Sequence, residues 1–543
     1  MNKKQLQDEL SKAYKNNEFV VAEGLADEYL NRFPEGMSYG QHVAISNIYL
    51  HVARYDDALS QVEKAFLLDK KRIDAVQQSF WIYFASDSLE KARNVLDVLN
   101  HMDERERNKE IYSRWLLLLE DKNRNFEEIV EAFDRGAVSL DIDASRSGEV
   151  ISAVVRALCE ENRIQDAEQI INALPPAVVE SSLNLMFTRA KLTDYQGRLD
   201  ESVNRYDELL AKFDYPEARW NKTLCLLSLG RELEGWLSFE DRWGWKGYPS
   251  GKWTVDAKQW SGEDLTGKSI LVLPEQGLGD EILFLTQLPV VEKYNPKKIT
   301  IQVSSKIVKL VQAWFPNHVV IESPENQDLR QTEQHRDFDF FVNVGSLSLI
   351  KIKNDHSVEA RLLNLSKTGT QIKQSLVDAG VCSSNAILVG IAWRSSNYYG
   401  ARAGHYINYL GAKSIVDSAP ADIVFLTLQY KLEPEEIEFL SNSHRIYLPP
   451  EDLFENVDAC AGYVAACDVV ICPPTIIRQI AGVTGTPCIT WGIDPHWSHL
   501  GKSEYPWYPN VKLIKCDRNW HPGALVTRVK TMVNKFPALF RKH

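Results

Sequence analysis

The stretch SILVLPEQGLGDEILFLTQLP, residues 269–289, joins two kinds of hydrophobic pattern at a pair of glycines. Its first half is a short apolar run that ends at Pro274, which is typical of a buried strand. Its second half is amphipathic and predicts a helix that begins at or next to Asp280. Between them, Gly277 and Gly279 predict a tight turn with positive φ. A strand, turn and helix in this order form the building block of a parallel α/β sheet, whose ligands bind where the strands end.

The same alternation continues towards the carboxyl terminus in two series of strands. The first series contains KITIQV, HVVIES and FDFFVNV; the second contains AILVGIAW, DIVFLTLQ, HRIYLP, DVVICP, PCITWG and VKLIKC. Strands separated by helical segments predict parallel sheets with both faces covered. We therefore expect two Rossmann-like α/β domains, residues 246–370 and 371–543, with a ligand cleft between their carboxyl edges.

Residues 1–245 have a different pattern, in which proline is scarce and apolar residues recur at helical spacing. An apolar or aromatic residue is followed three positions later by a small or apolar one, and this pair recurs every 34 to 38 residues; its first members are Tyr55, Leu89, Phe126, Ile164, Leu199 and Leu233. That period predicts two antiparallel helices per repeat, in a superhelix suited to docking or spacing. An irregular helical domain is the alternative.

The last repeat carries an aromatic stripe. Trp236, Phe239 and Trp243 follow one another at spacings of three and four residues, which places their rings on one helix face. We expect this face to pack the end of the repeats onto the domain that follows, with DAKQWSGEDLTGKS as a polar connector.

Composition excludes several classes of protein. A length of 543 residues allows two to four domains, and a net charge of -12 disfavours a general nucleic-acid or anionic-membrane binder. The eight cysteines show neither CxxC pairing nor Cys/His metal spacing, which predicts reduced structural thiols. We find no long uninterrupted apolar stretch and no signal-like segment, so we expect a soluble, cytoplasmic protein with no membrane span and no nucleic-acid partner.

Several motifs resemble one family. EQGLGDEILFLTQLP resembles the GLGD segment that opens the acceptor domain of heptosyltransferase-like sugar transferases, and GRELEGWLSFEDRW, residues 230–243, resembles the end of their tetratricopeptide-fused relatives. GIAWRSSN, FLTLQY, CPPTIIRQIAGVTGTP and YPWYPNVKL extend the resemblance in the expected order. The resemblance implies a tetratricopeptide-like superhelix followed by the GT-B fold, within the group of heptosyltransferase-like and protein O-GlcNAc-transferase-like enzymes. It also implies a nucleotide-sugar substrate, and neither a metal nor another cofactor.

Such a reaction needs a group that accepts a proton from the acceptor hydroxyl and others that neutralise the leaving phosphate. Asp280 is the predicted base, because the resemblance places the Asp of GLGD opposite the acceptor hydroxyl. Glu275 and Glu281 either raise its pKa by like-charge repulsion, or one of them is the true base. A helix cap is the alternative role for Asp280.

Two segments predict the donor-binding wall of the cleft. AWRSSNYYGARAGHY, residues 392–406, follows a strand and is rich in phosphate-binding side chains, with a solvated loop as the alternative. In CPPTIIRQIAGVTG, residues 472–485, Thr475 is expected to cap a helix whose free amides face the cleft. Together with Gly277 and Gly279, the predicted donor-binding residues are Arg394, Ser395, Ser396, Arg402, His405, Gln429, Thr475, Ile476 and Gln479. Further candidates for nucleotide or sugar contacts are Asp458, Trp491, Asp494, His496 and Trp497, with core packing as the alternative for the tryptophans.

The second segment departs from the family pattern. Pro474 stands where the heptosyltransferases carry Asp, Gln479 where they carry His, and Ile476 lacks a hydroxyl. Three functions therefore stay open: a glycosyltransferase whose repeats recruit a protein acceptor such as flagellin or another surface protein; a transferase acting on lipopolysaccharide or another glycan; and a non-catalytic scaffold that keeps the fold.

Overall fold

A computed structural model describes residues 1–16, 18–70, 72–86, 88–101, 126–134, 147–325, 327–331, 335, 337–354, 361–396, 405–517 and 520–540. The chain forms two compact units, residues 1–157 and 158–543. Among the described residues, no helix is both long and apolar enough to cross a bilayer.

The first unit consists of antiparallel helix pairs. Its described helices are α1 (Lys3–Lys15), α2 (Phe19–Arg32), α3 (Tyr39–His51), α4 (Tyr55–Leu68), α5 (Ile73–Ala85), α6 (Leu89–His101), α7 (Phe126–Asp134) and the beginning of α8 (Ser147–Glu160). Asn2 and Ser38 begin α1 and α3 with capping boxes, which satisfy free backbone amides at the helix start. Ala58 and Ala65 of α4 are fully buried, and the Ser46 hydroxyl donates to the Ala58 carbonyl oxygen at 2.9 Å, so small residues let α3 and α4 approach closely.

The helical repeats continue into the second unit. After the end of α8, this part contains α9 (Ile164–Ala173), α10 (Pro176–Ser181), α11 (Leu183–Tyr195), α12 (Leu199–Leu210), α13 (Pro216–Ser228) and α14 (Glu232–Phe239), followed by a 3₁₀ turn over Glu240–Gly244. Five of the six predicted repeat positions are the first residue of a helix, and the sixth, Leu233, is the second residue of α14. The small or apolar partners three positions later are all buried, which confirms the repeat pattern.

The predicted aromatic stripe packs as expected. Trp236 and Phe239 lie 6.2 and 6.1 Å from the ring of Phe284, which belongs to the α/β region, and both are buried. Trp243 contacts Tyr248 edge to face at 5.3 Å. The last repeat helix therefore shares its core with the first α/β sheet.

The first α/β sheet is parallel throughout, with strand order β1-β5-β2-β3-β4. Its strands are β1 (Lys258–Gln259), β2 (Ser269–Leu273), β3 (Lys298–Val303), β4 (Val319–Glu322) and β5 (Phe340–Asn343). The helices around it are α15 (Leu278–Leu285), α16 (Pro289–Glu292), α17 (Val308–Trp314) and α18 (Leu347–Lys353). The short β1 lies in the segment that we expected to be a polar connector, and it pairs with β5 through Lys258 and Gln259.

The second sheet is also parallel, with strand order β11-β10-β9-β6-β7-β8. Its strands are β6 (Ile387–Ile391), β7 (Ile423–Thr427), β8 (Ile446–Tyr447), β9 (Val469–Cys472), β10 (Cys488–Ile493) and β11 (Val511–Cys516). Its helices are α19 (Ser366–Asp378), α20 (Tyr409–Ser418), α21 (Pro434–Ser441), α22 (Val457–Ala466), α23 (Ile476–Thr484), α24 (Pro522–Val533) and α25 (Phe536–Phe540). These strand orders confirm two doubly wound α/β domains.

Each sheet reverses its strand order at one point, and ligands bind beside such reversals. In the first sheet the reversal lies between β2 and β5, and in the second between β6 and β9. The segments that follow β2, β6 and β9 are GLGD, AWRSSN and CPPT. The three motifs therefore occupy the positions where this fold binds ligands.

The turn after β2 differs from the expectation in one respect. Gly277 has φ −98° and is the residue before the first turn of α15, while Gln276 carries the positive φ of 66°. Tertiary contacts hold Gln276: its backbone N–H donates to the Ser250 hydroxyl, and its side-chain amide donates to the Tyr248 hydroxyl at 3.0 Å. The expectation of positive φ at the two glycines is therefore wrong.

Candidate functional site

The cleft between the two α/β domains is built where two helix amino ends meet. α15 begins after β2 and α23 begins after β9. A Cβ added to Gly279 would lie 3.8 Å from the Ile476 Cα and 3.9 Å from the Ile476 nitrogen, so the first turns of the two helices are in contact. The free backbone amides and the dipoles of both helices make this a favourable place for an anion.

A cavity of 290 Å³ opens beside this contact. Five predicted site residues line it from the α15 and α23 side, namely Gly279, Asp280, Thr475, Ile476 and Gln479. Asp280 is the third residue of α15, where its carboxylate is half-buried and favourably placed in the helix dipole. Asp280 is not the residue that caps the helix, since that position belongs to Gly277.

Glu275 does not reach this cavity. Its side chain is 2% exposed, and its carboxylate accepts from Arg242 Nε at 2.6 Å, from Arg242 Nη2 at 3.1 Å and from the Tyr248 hydroxyl at 3.0 Å. The Gly345 backbone N–H also donates to it. Since these donors occupy both carboxylate oxygens, the structure corrects the prediction of Glu275 as a base and makes it part of a buried ion pair.

Glu281 also faces away from the cavity. It is buried, and its carboxylate accepts from the Ser304 backbone N–H at 3.0 Å and from the Ser304 hydroxyl. Burial raises the pKa of Glu281, the Ser304 hydrogen bonds oppose that shift, and the neighbouring charge of Asp280 adds to it. Glu281 therefore anchors the segment after β3, which corrects its prediction as an alternative base.

Two of the predicted donor-binding residues in the second domain, Arg394 and Gln429, form their hydrogen bonds within the protein. Arg394 is buried and donates from Nε to Glu436 Oε1 at 2.8 Å and from Nη2 to Glu436 Oε2. Gln429 Oε1 accepts from the Trp393 and Arg394 backbone N–H groups at 3.0 Å each, and its amide donates to the Tyr430 carbonyl oxygen. Gln429 holds the segment after β6 beside the end of β7, and Arg394 holds it against α21, which corrects their prediction as phosphate ligands.

The remaining predicted residues of the segment 392–406 differ in where they lie. Ser395 and His405 line the cavity. Ser396 is exposed and lies outside its lining. Arg402 lies outside the described residues, so its prediction stays as made from the sequence.

The amino end of α23 presents three buried polar atoms without a hydrogen-bond partner. They are Thr475 Oγ1, Gln479 Oε1 and Arg478 Nε. Thr475 precedes the first turn of α23, but its hydroxyl makes no capping hydrogen bond, which corrects that expectation. All three residues line the cavity, so their unused hydrogen-bonding capacity is available to a ligand.

Arg478 is the site residue that the sequence reasoning missed. It is 6% exposed, and its guanidinium lies over the Tyr505 ring at 4.6 Å. In the described part of the chain, no carboxylate lies within ion-pair distance of it. A buried arginine without a carboxylate partner is costly unless a ligand supplies the negative charge. The sequence signal for Arg478 was a single cation within the otherwise apolar helix IIRQIAGVT, at a position that the resemblance to the sugar transferases did not single out.

Residues after β10 form another wall of the cavity. His496 and Trp497 line it, and the Trp497 ring stacks on Phe284 at 6.3 Å. Asp494 is engaged by His499 Nδ1 at 2.9 Å and by Lys515, while burial lowers the pKa of His499 and Asp494 opposes that shift.

Three of the further candidates, Asp494, Trp491 and Asp458, lie outside the cavity lining. Trp491 is fully buried and donates to the His405 carbonyl oxygen at 2.7 Å, so its role is core packing. Asp458 is half-buried on α22. Within the described ranges, no three potential metal-binding side chains lie together.

Helical repeats followed by two facing, doubly wound parallel sheets define a chain with tetratricopeptide-like repeats and a GT-B-like fold. No protein-family profile matches the chain. Protein FlbA of Caulobacter vibrioides is 26% identical over 382 residues, which are 67% of this chain and 63% of that protein. The chain thus spans less than two thirds of this relative's length.

Several solved structures are similar to about half of this chain. The glycosyl transferase family 9 protein of Veillonella parvula is 12% identical over 51% of this chain and 98% of its own, with a TM-score of 0.37. The E. coli ADP-heptose LPS heptosyltransferase II is 10% identical over 50% of this chain and 99% of its own, with a TM-score of 0.38. A tetratricopeptide repeat protein of Parabacteroides merdae is 15% identical over 45% of this chain and 93% of its own, with a TM-score of 0.33. At these scores, the fold assignment rests on the strand orders and helix pairs of the chain itself.

Proposed function

We propose that this protein is a glycosyltransferase that moves a sugar from a nucleotide-sugar donor to an acceptor hydroxyl in the cleft beside Asp280. One observation carries the proposal: a carboxylate and a buried arginine without a carboxylate partner line the same cavity, at the contact between two helix amino ends. A basic group and an anion site placed side by side are what this reaction requires.

The donor diphosphate would bind at the amino end of α23. The backbone amides of that turn, the Thr475 hydroxyl and the Arg478 guanidinium are the groups positioned to hold phosphate oxygens. Their positive charge would stabilise the negative charge that develops on the leaving nucleotide. The proposed chemistry therefore uses neither a metal nor a further cofactor. Arg478 supplies the positive charge at the phosphates, because Arg394 is already paired with Glu436.

Asp280 would accept the proton of the attacking hydroxyl. It lies on the first domain, next to Gly279 at the contact with Ile476, whereas the proposed phosphate ligands lie on the second domain. The acceptor would thus approach from the first domain and the donor from the second, so that the cleft separates base and leaving group.

We further propose that the acceptor is a protein brought to the cleft by the helical repeats, in the cytoplasm. The support is the extended array of paired helices, an architecture that presents large binding surfaces. Flagellin or another surface protein is the acceptor class that the sequence resemblance suggests. A lipopolysaccharide or other glycan acceptor is the competing proposal.

A thermal-shift panel of UDP-, ADP-, GDP- and CMP-sugars on the full-length protein tests donor binding, with radiolabelled transfer to candidate acceptors as the activity assay. At 100 times its dissociation constant, a true donor adds about 2.7 kcal/mol of stability. We expect Asp280→Asn to keep this shift and to lose about 10²- to 10⁴-fold in transfer rate. We expect Arg478→Met to weaken donor binding about tenfold or more, because a charge-assisted hydrogen bond contributes about 1.5–3 kcal/mol.

Lys512→Met is the matched control, since it removes an exposed cation from β11 and leaves the cavity unchanged. If no nucleotide sugar shifts the wild-type melting temperature, the result favours the non-catalytic scaffold over a transferase. If transfer proceeds at the wild-type rate in Asp280→Asn, Asp280 is not the base.

A further inference from the structure

A second and larger cavity lies at the opposite ends of α15 and α23. Its volume is 580 Å³, and we call it the rear cavity. Gln287, just after the carboxyl end of α15, and Gly482, near the carboxyl end of α23, both line it. The two helices that form the anion site at their amino ends therefore reach the rear cavity at their other ends, one from each α/β domain.

The rear cavity contains a cation without a close partner. Lys351 of α18 is partly buried, and in the described part of the chain no carboxylate lies within ion-pair distance of its ammonium group. Glu232, the one acid among the described lining residues, pairs with Lys502 at 3.0 Å instead. Burial lowers the pKa of Lys351, and the more distant charge of Glu232 opposes the shift. Among the described residues, the lining thus carries one positive charge without an ion-pair partner.

A buried hydroxyl lies on the same face of α18. Ser348 precedes Lys351 by three residues, a spacing that places both side chains on one side of the helix. Ser348 is 3% exposed, lines the rear cavity, and its Oγ has no hydrogen-bond partner. A buried hydroxyl without a partner is destabilising, and a ligand oxygen would satisfy it.

The rest of the lining is largely apolar. Trp236 and Trp507 meet edge to face with their centroids 6.3 Å apart, and Ile352 and Leu500 extend this surface. Aromatic walls of this kind bind the apolar body of a small molecule, while a few polar groups fix its orientation.

We propose that the rear cavity is a binding site for a small organic anion with an aromatic or apolar body, whose charged group contacts Lys351 and Ser348 and whose body packs against Trp507. This site is separate from the proposed nucleotide-sugar site, and it stands whether or not that proposal does. Its volume falls within the range of small-molecule sites, about 300–1,000 Å³.

The probe for the test is 8-anilinonaphthalene-1-sulfonate, which joins an aromatic body to one anionic group and fluoresces when bound. We expect saturable binding of one equivalent to the full-length protein. Lys351→Met, which keeps the length and apolar stem of the side chain, should weaken this binding about tenfold or more. Ser348→Ala should weaken it several-fold.

Two controls separate this site from others. Lys353→Met removes an exposed cation from the same helix and should leave binding unchanged. N-phenyl-1-naphthylamine, which has the aromatic body without the charge, should bind the wild-type and Lys351→Met proteins equally. Equal affinity of the anionic probe for wild type and Lys351→Met overturns the proposal. So does loss of its binding in Arg478→Met, because that result would place the probe in the cleft.

Discussion

Glu281 follows Asp280 directly in the chain, yet the two carboxyl groups have different surroundings. The Asp280 side chain lines the cleft, whereas Glu281 is buried against Ser304. Burial raises the pKa of Glu281, so the folded protein keeps this proton to a higher pH than the unfolded chain does. The free energy of unfolding therefore falls as pH rises from the ordinary glutamate pKa through the raised one.

Glu281→Gln removes this titration and keeps groups that can pair with Ser304. We expect the variant to gain stability relative to wild type as pH rises from 5 to 8, measured as the free energy of unfolding in urea at several pH values. Glu322→Gln, at an exposed position of β4, is the control and should follow the wild-type pH dependence. A Glu281→Gln curve parallel to that of wild type would show that the buried carboxyl does not titrate differently on folding.

The roles of individual side chains were the part least predictable from sequence. Arg394 and Glu436 are 42 positions apart, and nothing local in AWRSSN reveals that the arginine already has a partner. Arg478 is the contrasting case. It qualifies as a site residue because no carboxylate among the described residues pairs with it. Sequence patterns predict which segments reach the cleft, but the pairing of buried charges depends on tertiary contacts.

At the scale of single elements, Gly279 of α15 and Gly482 of α23 differ in how closely neighbouring atoms surround them. A Cβ on Gly279 of α15 would find its nearest atoms at 3.8 Å, an ordinary contact. A Cβ on Gly482 of α23 would lie 2.4 Å from the Tyr508 ring. The position of the Tyr508 ring thus requires glycine at position 482. The close approach of α15 to α23 does not require glycine at position 279.

Substitution of each glycine by alanine distinguishes these two environments. Gly279→Ala should be neutral or stabilising by up to about 1 kcal/mol, since alanine favours the helix. Gly482→Ala should cost about 1–3 kcal/mol, because Tyr508 must move. Urea unfolding measures both values, and equal effects of the two substitutions would contradict the packing described for Tyr508.

The order of elements was the most predictable feature. The repeat positions begin helices because the recurring pair combines an apolar residue with a buried small one on the same face, and that pattern is local. The central strands β2 and β6 were predictable because their apolar runs are buried on two faces. The turn at Gln276 and the short β1 escaped prediction, since contacts with Ser250 and pairing with β5 determine them.

At the scale of the whole molecule, one buried ion pair links the last repeat to the first sheet. Arg242 follows α14, and Glu275 follows β2; both are buried, and Arg242 also donates to the Ser346 hydroxyl at 3.1 Å. The predicted domain boundary at residues 245 and 246 falls between these two partners. The fold of residues 158–543 therefore includes repeat helices and both α/β domains in one compact unit.

Arg242→Met leaves the Glu275 carboxylate buried without its cation. We expect a loss of about 3–5 kcal/mol in the free energy of unfolding, as for other broken buried pairs. Arg242→Met combined with Glu275→Gln should recover part of the loss, because no uncompensated charge remains. Arg330→Met breaks the exposed pair with Asp328 and should cost far less than Arg242→Met, because solvent screens an exposed pair. Similar losses for Arg242→Met and Arg330→Met would show that the buried pair contributes little.

The buried pair of Arg242 and Glu275 also restricts where genetic recombination between related chains can join the repeats to the α/β domains. Recombination at the apparent border between repeats and α/β domains would bring together an arginine and a glutamate from different parents, and any mismatch would bury an isolated charge. Crossovers upstream of Glu232 leave both partners and the aromatic stripe in one inherited segment. The earlier repeats can thus change by recombination, whereas the last repeat must be inherited together with the first α/β domain.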